Sequence, residues 1–98
     1  MYEDDILSFN LDYSFVTLSL TNDISYELTN RNLRLIEKIL SDNFFRINRT
    51  TIVNLKKIKN VNGKEYEITM NNNKTYQISR REWSSFKRKY NILKNDFS

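Results

Sequence analysis

The chain has 98 residues, 39% of them hydrophobic, with six Phe, six Tyr and one Trp; this is one folding domain with room for a single modest core, not a disordered tail. It has no Cys, no His and one Gly, which excludes disulfides, thiolate and imidazole metal sites, a Ser-His-Asp triad and Gly-rich phosphate loops, so enzymatic activity is not expected. The net charge is +4, but residues 1–42 hold eight acids against three bases, whereas residues 43–98 hold thirteen bases against four acids. Such a split suggests one basic face for a polyanion, with nucleic acid the usual candidate.

The N-terminal "MYEDDILSF" is acidic and lacks the apolar core of a secretory signal. No run approaches the ~20 apolar residues of a membrane span. A cytoplasmic protein is expected, one domain over residues 1–98. With no Pro and a single Gly, the turns rest on Asn and Asp, which tolerate left-handed backbone.

In chain order, Val16, Leu18 and Leu20 alternate with Thr17 and Ser19, the period of a half-buried strand. After Asn22-Asp23, the residues Ile24, Tyr26 and Leu28 repeat the pattern, so a hairpin with these side chains inward is expected. "TNRNLRLIEKILSD" then changes to a helical period, with Leu33, Ile36 and Leu40 along one stripe and Thr29 or Asn30 as N-cap. β character returns through Thr50–Leu55. A second hairpin follows, with Tyr66, Ile68 and Met70 inward, turning at Asn71–Asn73 into "KTYQIS". Ser79 and Glu82 fit an S-x-x-E capping box, which predicts a helix starting at Arg80. Trp83, Phe86, Tyr90 and Leu93 share one face of that helix, a stripe read as core packing.

Two places invite a polyanion. "FFRINRTTIVNLKKIKNVNG" holds five bases and no acid. Within it Asn48, Arg49 and Thr50 precede an apolar strand, where a loop presents them outward. Arg offers a planar fork that matches guanine edges or phosphate, and Asn and Thr can bond bases or backbone. A solvated strand entry accounts for these three residues equally well. Lys56, Lys57 and Lys59 read either as phosphate contacts or as charges that blunt a sheet edge. The second place is Arg80-Arg81, where two cations oppose the helix dipole at a cost of a few tenths of a kcal/mol each. Contact with phosphate or bases supplies a reason for tolerating that cost. Lys87, Arg88 and Lys89 lie late in the helix, as the dipole prefers.

The run "FFRINRTTIVNLKKIKNV…YEITMNNNKTYQISRR" resembles the LytTR family, with Arg46, Arg49, Val53, Asn54, Ile58, Ser79 and Arg80 at family spacing. "DILSFNLDYSFVTLSL" is similar to the family's opening strands, and "TNRNLRLIEKIL" to its interior helix. The resemblance implies a mainly β fold, a small antiparallel sandwich with one interior helix and a C-terminal helix. It further implies sequence-specific double-stranded DNA binding by loops, in the output domains of bacterial two-component response regulators that control transcription. In the family two loops enter successive major grooves, a third lies at the minor groove between them, and the DNA bends. By resemblance, Asn48-Arg49-Thr50 and Arg80-Arg81 are two of the reading elements, and the turn at Tyr13-Ser14 is the third. Lys56 and Lys57 would add backbone charge. The family's usual His and Ser are here Asn48 and Thr50, no receiver domain lies within the 98 residues, and fewer N-terminal strands precede "DIL" than in many members.

The partners expected are double-stranded DNA and a second copy on repeated half-sites, with no cofactor, metal, membrane or small-molecule substrate. An assembly module of the same fold is the competing reading. Single-strand binding is disfavoured, because most aromatics sit at core-facing spacing and few remain for base stacking.

Overall fold

The alternating runs pair into two antiparallel sheets. The computed structural model describes residues 2–13, 15–29 and 31–97, with side chains as far as Lys94. After a 3-10 turn (Glu3–Asp5) come β1 (Ile6–Leu11), β2 (Val16–Leu20), β3 (Ser25–Leu28), α1 (Leu33–Ile39), β4 (Phe44–Asn48) and β5 (Thr51–Asn54). A second 3-10 turn (Leu55–Lys57) leads to β6 (Ile58–Asn62), β7 (Glu67–Met70), β8 (Thr75–Gln77) and α2 (Arg80–Phe97). The first sheet has the order β3-β2-β1-β5-β4, the second β6-β7-β8. The fold is mainly β with two helices, as the sequence led us to expect.

Register divides the first sheet into an apolar and a mixed face. Tyr26, Leu18, Phe9, Ile52 and Arg46 stand opposite one another across all five strands. On this side Leu18, Phe9 and Ile52 join Leu33 and Ile36 of α1 in one core. The opposite side contributes Leu7, Ile47 and Val53 to a second core, shared with Ile68 and Met70 of β7 and with Phe86 of α2. Phe86 is fully buried, and removal of such a side chain from water contributes roughly 2 kcal/mol. On the same side, Ser8, Asn10, Thr51 and Tyr76 form a polar patch: Thr51 Oγ1 donates to Asn10 Oδ1 (3.3 Å), and Asn10 Nδ2 donates to Ser8 Oγ (3.1 Å) and Tyr76 Oη (3.4 Å). No described buried side-chain polar atom lacks a partner.

Two turns share one device. Asp23 and Asn73 have φ of 67° and 68°, and the preceding Asn22 and Asn72 accept from the amides of Ile24 and Lys74 at 3.1 Å each. Asx side chains here replace glycine.

Several expectations need correction. The N-cap of α1 is Asn32, whose Oδ1 accepts from Leu35 N at 3.3 Å; Thr29 lies in a bend before it, and Asn30 falls outside the described residues. Ile24 and Tyr26 are exposed, because β3 is the edge farthest from β4, the strand against which α1 lies. Strand period assigns a face, but a covering element must still reach it. Tyr66 belongs to the turn before β7, half-buried, with φ of 51°. The capping box closes in one direction only. Ser79 Oγ accepts from Glu82 N at 3.3 Å, while Ser79 N donates to Ile47 O at 2.9 Å, which ties the start of α2 to β4.

Candidate nucleic-acid interface

The β4–β5 connection is a two-residue loop, Arg49-Thr50, and neither residue has the positive φ that tight hairpin turns favour. A bulge at Ile47 absorbs the mismatch: the register steps from Arg46↔Ile52 to Asn48↔Thr51, so β4 carries one extra residue. Side chains then lock the loop. Asn48 Oδ1 accepts from Thr50 N (2.9 Å) and Thr50 Oγ1 (3.1 Å), and Asn48 Nδ2 donates to Gln77 O (2.7 Å). The Arg46 guanidinium donates from Nε to Asn48 O (3.3 Å) and from Nη2 to Arg49 O (2.6 Å). Arg46 is thereby a brace under the loop, and Asn48 a strut between it and the end of β8.

Three segments meet at this end of the molecule. Leu11 N donates to Thr50 O at 2.7 Å, which fixes the β1–β2 turn beside the Arg49 loop. Within that turn Asp12 N donates to Phe15 O at 2.9 Å. Ser14 itself lies outside the described residues. The bonds of Asn48 to Gln77 and of Ser79 to Ile47 hold the start of α2 against the other side of the loop. Arg49, Arg80 and Arg81 are exposed there, on neighbouring elements joined by main-chain bonds. The Arg80 guanidinium lies over the Tyr66 ring, 5.6 Å from its centre.

A cleft of about 420 Å³ beside the loop is lined by Arg34, Arg46, Arg49 and Arg81, with Glu37 and Glu82 on its wall. A second cleft is lined by Arg31, Arg34 and Arg46 without any acid. Arg31 and Arg34 come from the half of the chain that looked acidic by count. Only the fold shows that they join the basic end, and helical spacing alone gave no signal for it.

Lys56 and Lys57 lie elsewhere. β5 runs away from the Arg49 loop, and at about 3.3 Å per strand residue these lysines sit roughly 15 Å farther along. Asn54 Nδ2 anchors that region to Glu3 O (3.2 Å) and Ile6 O (3.0 Å), at the start of β1. Lys57 O accepts from Asn71 N at 2.9 Å, and Lys59 Nζ donates to Asn73 Oδ1 at 2.8 Å. The predicted site residues therefore divide into Asn48, Arg49, Thr50, Arg80 and Arg81 at one end and Lys56 and Lys57 at the other.

Lys87 and Lys94 stand over the rings of Trp83 and Tyr90, at 5.6 and 5.9 Å, so the aromatic stripe of α2 packs inward and carries cations on its outer faces. No helix among the described residues is long and apolar enough to cross a membrane.

Known proteins share this fold and, in part, this sequence. The fold is similar to the LytTr DNA-binding domain of a response regulator from Bacillus cereus, with a TM-score of 0.73 and 19% identity over 88% of this chain and 80% of that one. The sequence is 30% identical over 87 residues to the sensory transduction protein LytR of Staphylococcus saprophyticus. That match covers 86% of this chain but only 34% of the relative, so the chain spans about a third of that protein's length. The family model for the LytTr DNA-binding domain matches residues 3–91. The chain therefore belongs to the LytTR family of DNA-binding domains.

Proposed function

We propose that this domain binds double-stranded DNA sequence-specifically through the end where the β1–β2 turn, the Arg49 loop and the start of α2 converge, and that it regulates transcription by doing so in the cytoplasm of a bacterium. The observation that carries the reading is the tie between the segments: Leu11 to Thr50, Asn48 to Gln77 and Ser79 to Ile47. These bonds fix the spacing of exposed Arg49 and Arg80 before any ligand arrives, and a preorganised fork loses less entropy when it meets a base edge. In this reading Arg49 and Arg80 contact bases or adjacent phosphates. Arg81, Arg34 and Arg31 supply phosphate charge.

Asn48 and Thr50 act here as loop supports. Their hydroxyl and amide groups are engaged with the chain itself, which gives Asn48 a role in the place where relatives carry His. Ser14 stands in the third element, and Lys56 and Lys57 act only through longer-range attraction. A second copy on a repeated half-site completes the expected assembly.

Selection of bound sequences from a random duplex pool tests the reading. An enriched motif is expected, and uniform recovery of all duplexes would refute specific recognition. A second reading, an assembly module, draws on exposed Tyr26 of the edge strand β3, on Ile24 just before it and on Ile39 of α1. It predicts no retention of duplex at all.

A further inference from the structure

We infer that Tyr66 is a positioning residue for Arg80, holding its guanidinium toward the ligand; the inference rests on the DNA reading above. Two independent observations lead to it. The first is contact: the Arg80 guanidinium lies 5.6 Å from the centre of the Tyr66 ring, within the range of a cation–π interaction. That ring is itself held. It meets Trp83 edge-on, with centroids at 5.2 Å and an interplanar angle of 90°, and Trp83 stacks on the fully buried Phe86 at 5.7 Å. The platform under Arg80 is therefore continuous with the core.

The second observation is backbone conformation. Tyr66 has φ of 51°, a left-handed value that bulky residues rarely adopt. The other described non-glycine residues with positive φ are Asp23 and Asn73, types that tolerate it through local hydrogen bonding. The same turn contains Gly63, but at a different position. An aromatic residue at a place suited to Asn or Gly is unfavourable locally, and the inference from such an outlier runs toward function. The main chain ties this turn to the approach to α2, because Tyr66 O accepts from Ile78 N at 2.7 Å, two residues before Arg80. Arg80 stands at the first position of α2, where the dipole repels a cation. The electron-rich face of Tyr66 offsets that repulsion and restricts the rotamers of a long side chain.

Three variants separate the ring from the turn. Tyr66→Asn keeps a residue that accepts left-handed backbone and removes the ring; Tyr66→Phe keeps the ring; Arg80→Ala removes the cation. Binding is measured for a duplex selected from a random pool and for a scrambled duplex of the same length. Tyr66→Phe should match the unmodified domain. Tyr66→Asn should weaken the selected duplex by about two- to five-fold and leave the scrambled one unchanged. In the Arg80→Ala background, Tyr66→Asn should have no further effect. Where Arg80→Ala weakens the selected duplex, undiminished binding by Tyr66→Asn, or an equal loss in the Arg80→Ala background, overturns the inference. If Arg80→Ala leaves the preference for the selected duplex intact, the DNA reading of Arg80 fails instead. The positioning claim is then decided by NMR: upfield ring-current shifts of the Arg80 δ protons, present with Tyr66 or Phe and lost with Asn, support it, and identical shifts in all three refute it.

Discussion

Both ends of β5 are basic, yet they are built differently. At one end Arg49 stands in a loop braced by Arg46 and Asn48, and Arg80 lies on a ring joined to the core. At the other, Lys56, Lys57 and Lys59 surround a 3-10 turn, and the Lys59 ammonium bonds Asn73 of a neighbouring turn. In sequence Arg49 and these lysines are a few residues apart in a single basic stretch. In space one end presents forked donors on two of three interlocked segments, while the other presents point charges on flexible stems. What separates the two ends is how their donors are held.

The sharpest way to break this comparison is to remove the arginines. Arg80→Ala and Arg49→Ala are each expected to weaken binding to a selected duplex by ~1–3 kcal/mol, with little change for scrambled sequence, as measured by fluorescence anisotropy. An effect of equal size on both duplexes would reduce these arginines to phosphate contacts. Next in size is the support of the loop. Asn48→Ala should cost about 1–2 kcal/mol of folding stability in a denaturant melt, since three bonds are lost and the Gln77 carbonyl loses a donor. It should also weaken the selected duplex without direct contact to it. Arg49→Lys keeps the charge and removes the fork, so about 1 kcal/mol of discrimination should disappear while the salt dependence stays unchanged. Smallest of all, Lys57→Ala should weaken every duplex alike by less than about 0.5 kcal/mol, because charges more than a Debye length (~10 Å) from the ligand are screened.

Much of this was legible in the sequence where one local rule governs one residue. Ser79 announced the start of α2, the 3.6-residue stripe placed Phe86 in the core, and Asn22-Asp23 and Asn71–Asn73 marked turns. The resemblance carried by Arg46, Arg49, Val53 and Asn54 pointed to the family that the match over residues 3–91 then identified. What stayed hidden depends on packing between distant segments. Alternation assigned Ile24 and Tyr26 to an inward face but could not tell that both are left exposed. Charge counting placed Arg31 and Arg34 in an acidic half, and only the packing of α1 against β4 brings them beside Arg46. Arg46 looked like one more surface cation until its guanidinium was seen closing the loop. Tyr66 followed strand period, but it lies in the turn before β7 with a left-handed backbone, and its ring meets Trp83 and Arg80.

The most direct test of the central claim is a map of backbone amide shifts during titration of the domain with a selected duplex. The largest changes are expected at residues 12–15, 48–50 and 79–81, with residues 56–59 and 71–73 near their free positions. Changes centred on Lys56, Lys57 and Lys59, with the Arg49 loop and the start of α2 undisturbed, would contradict it.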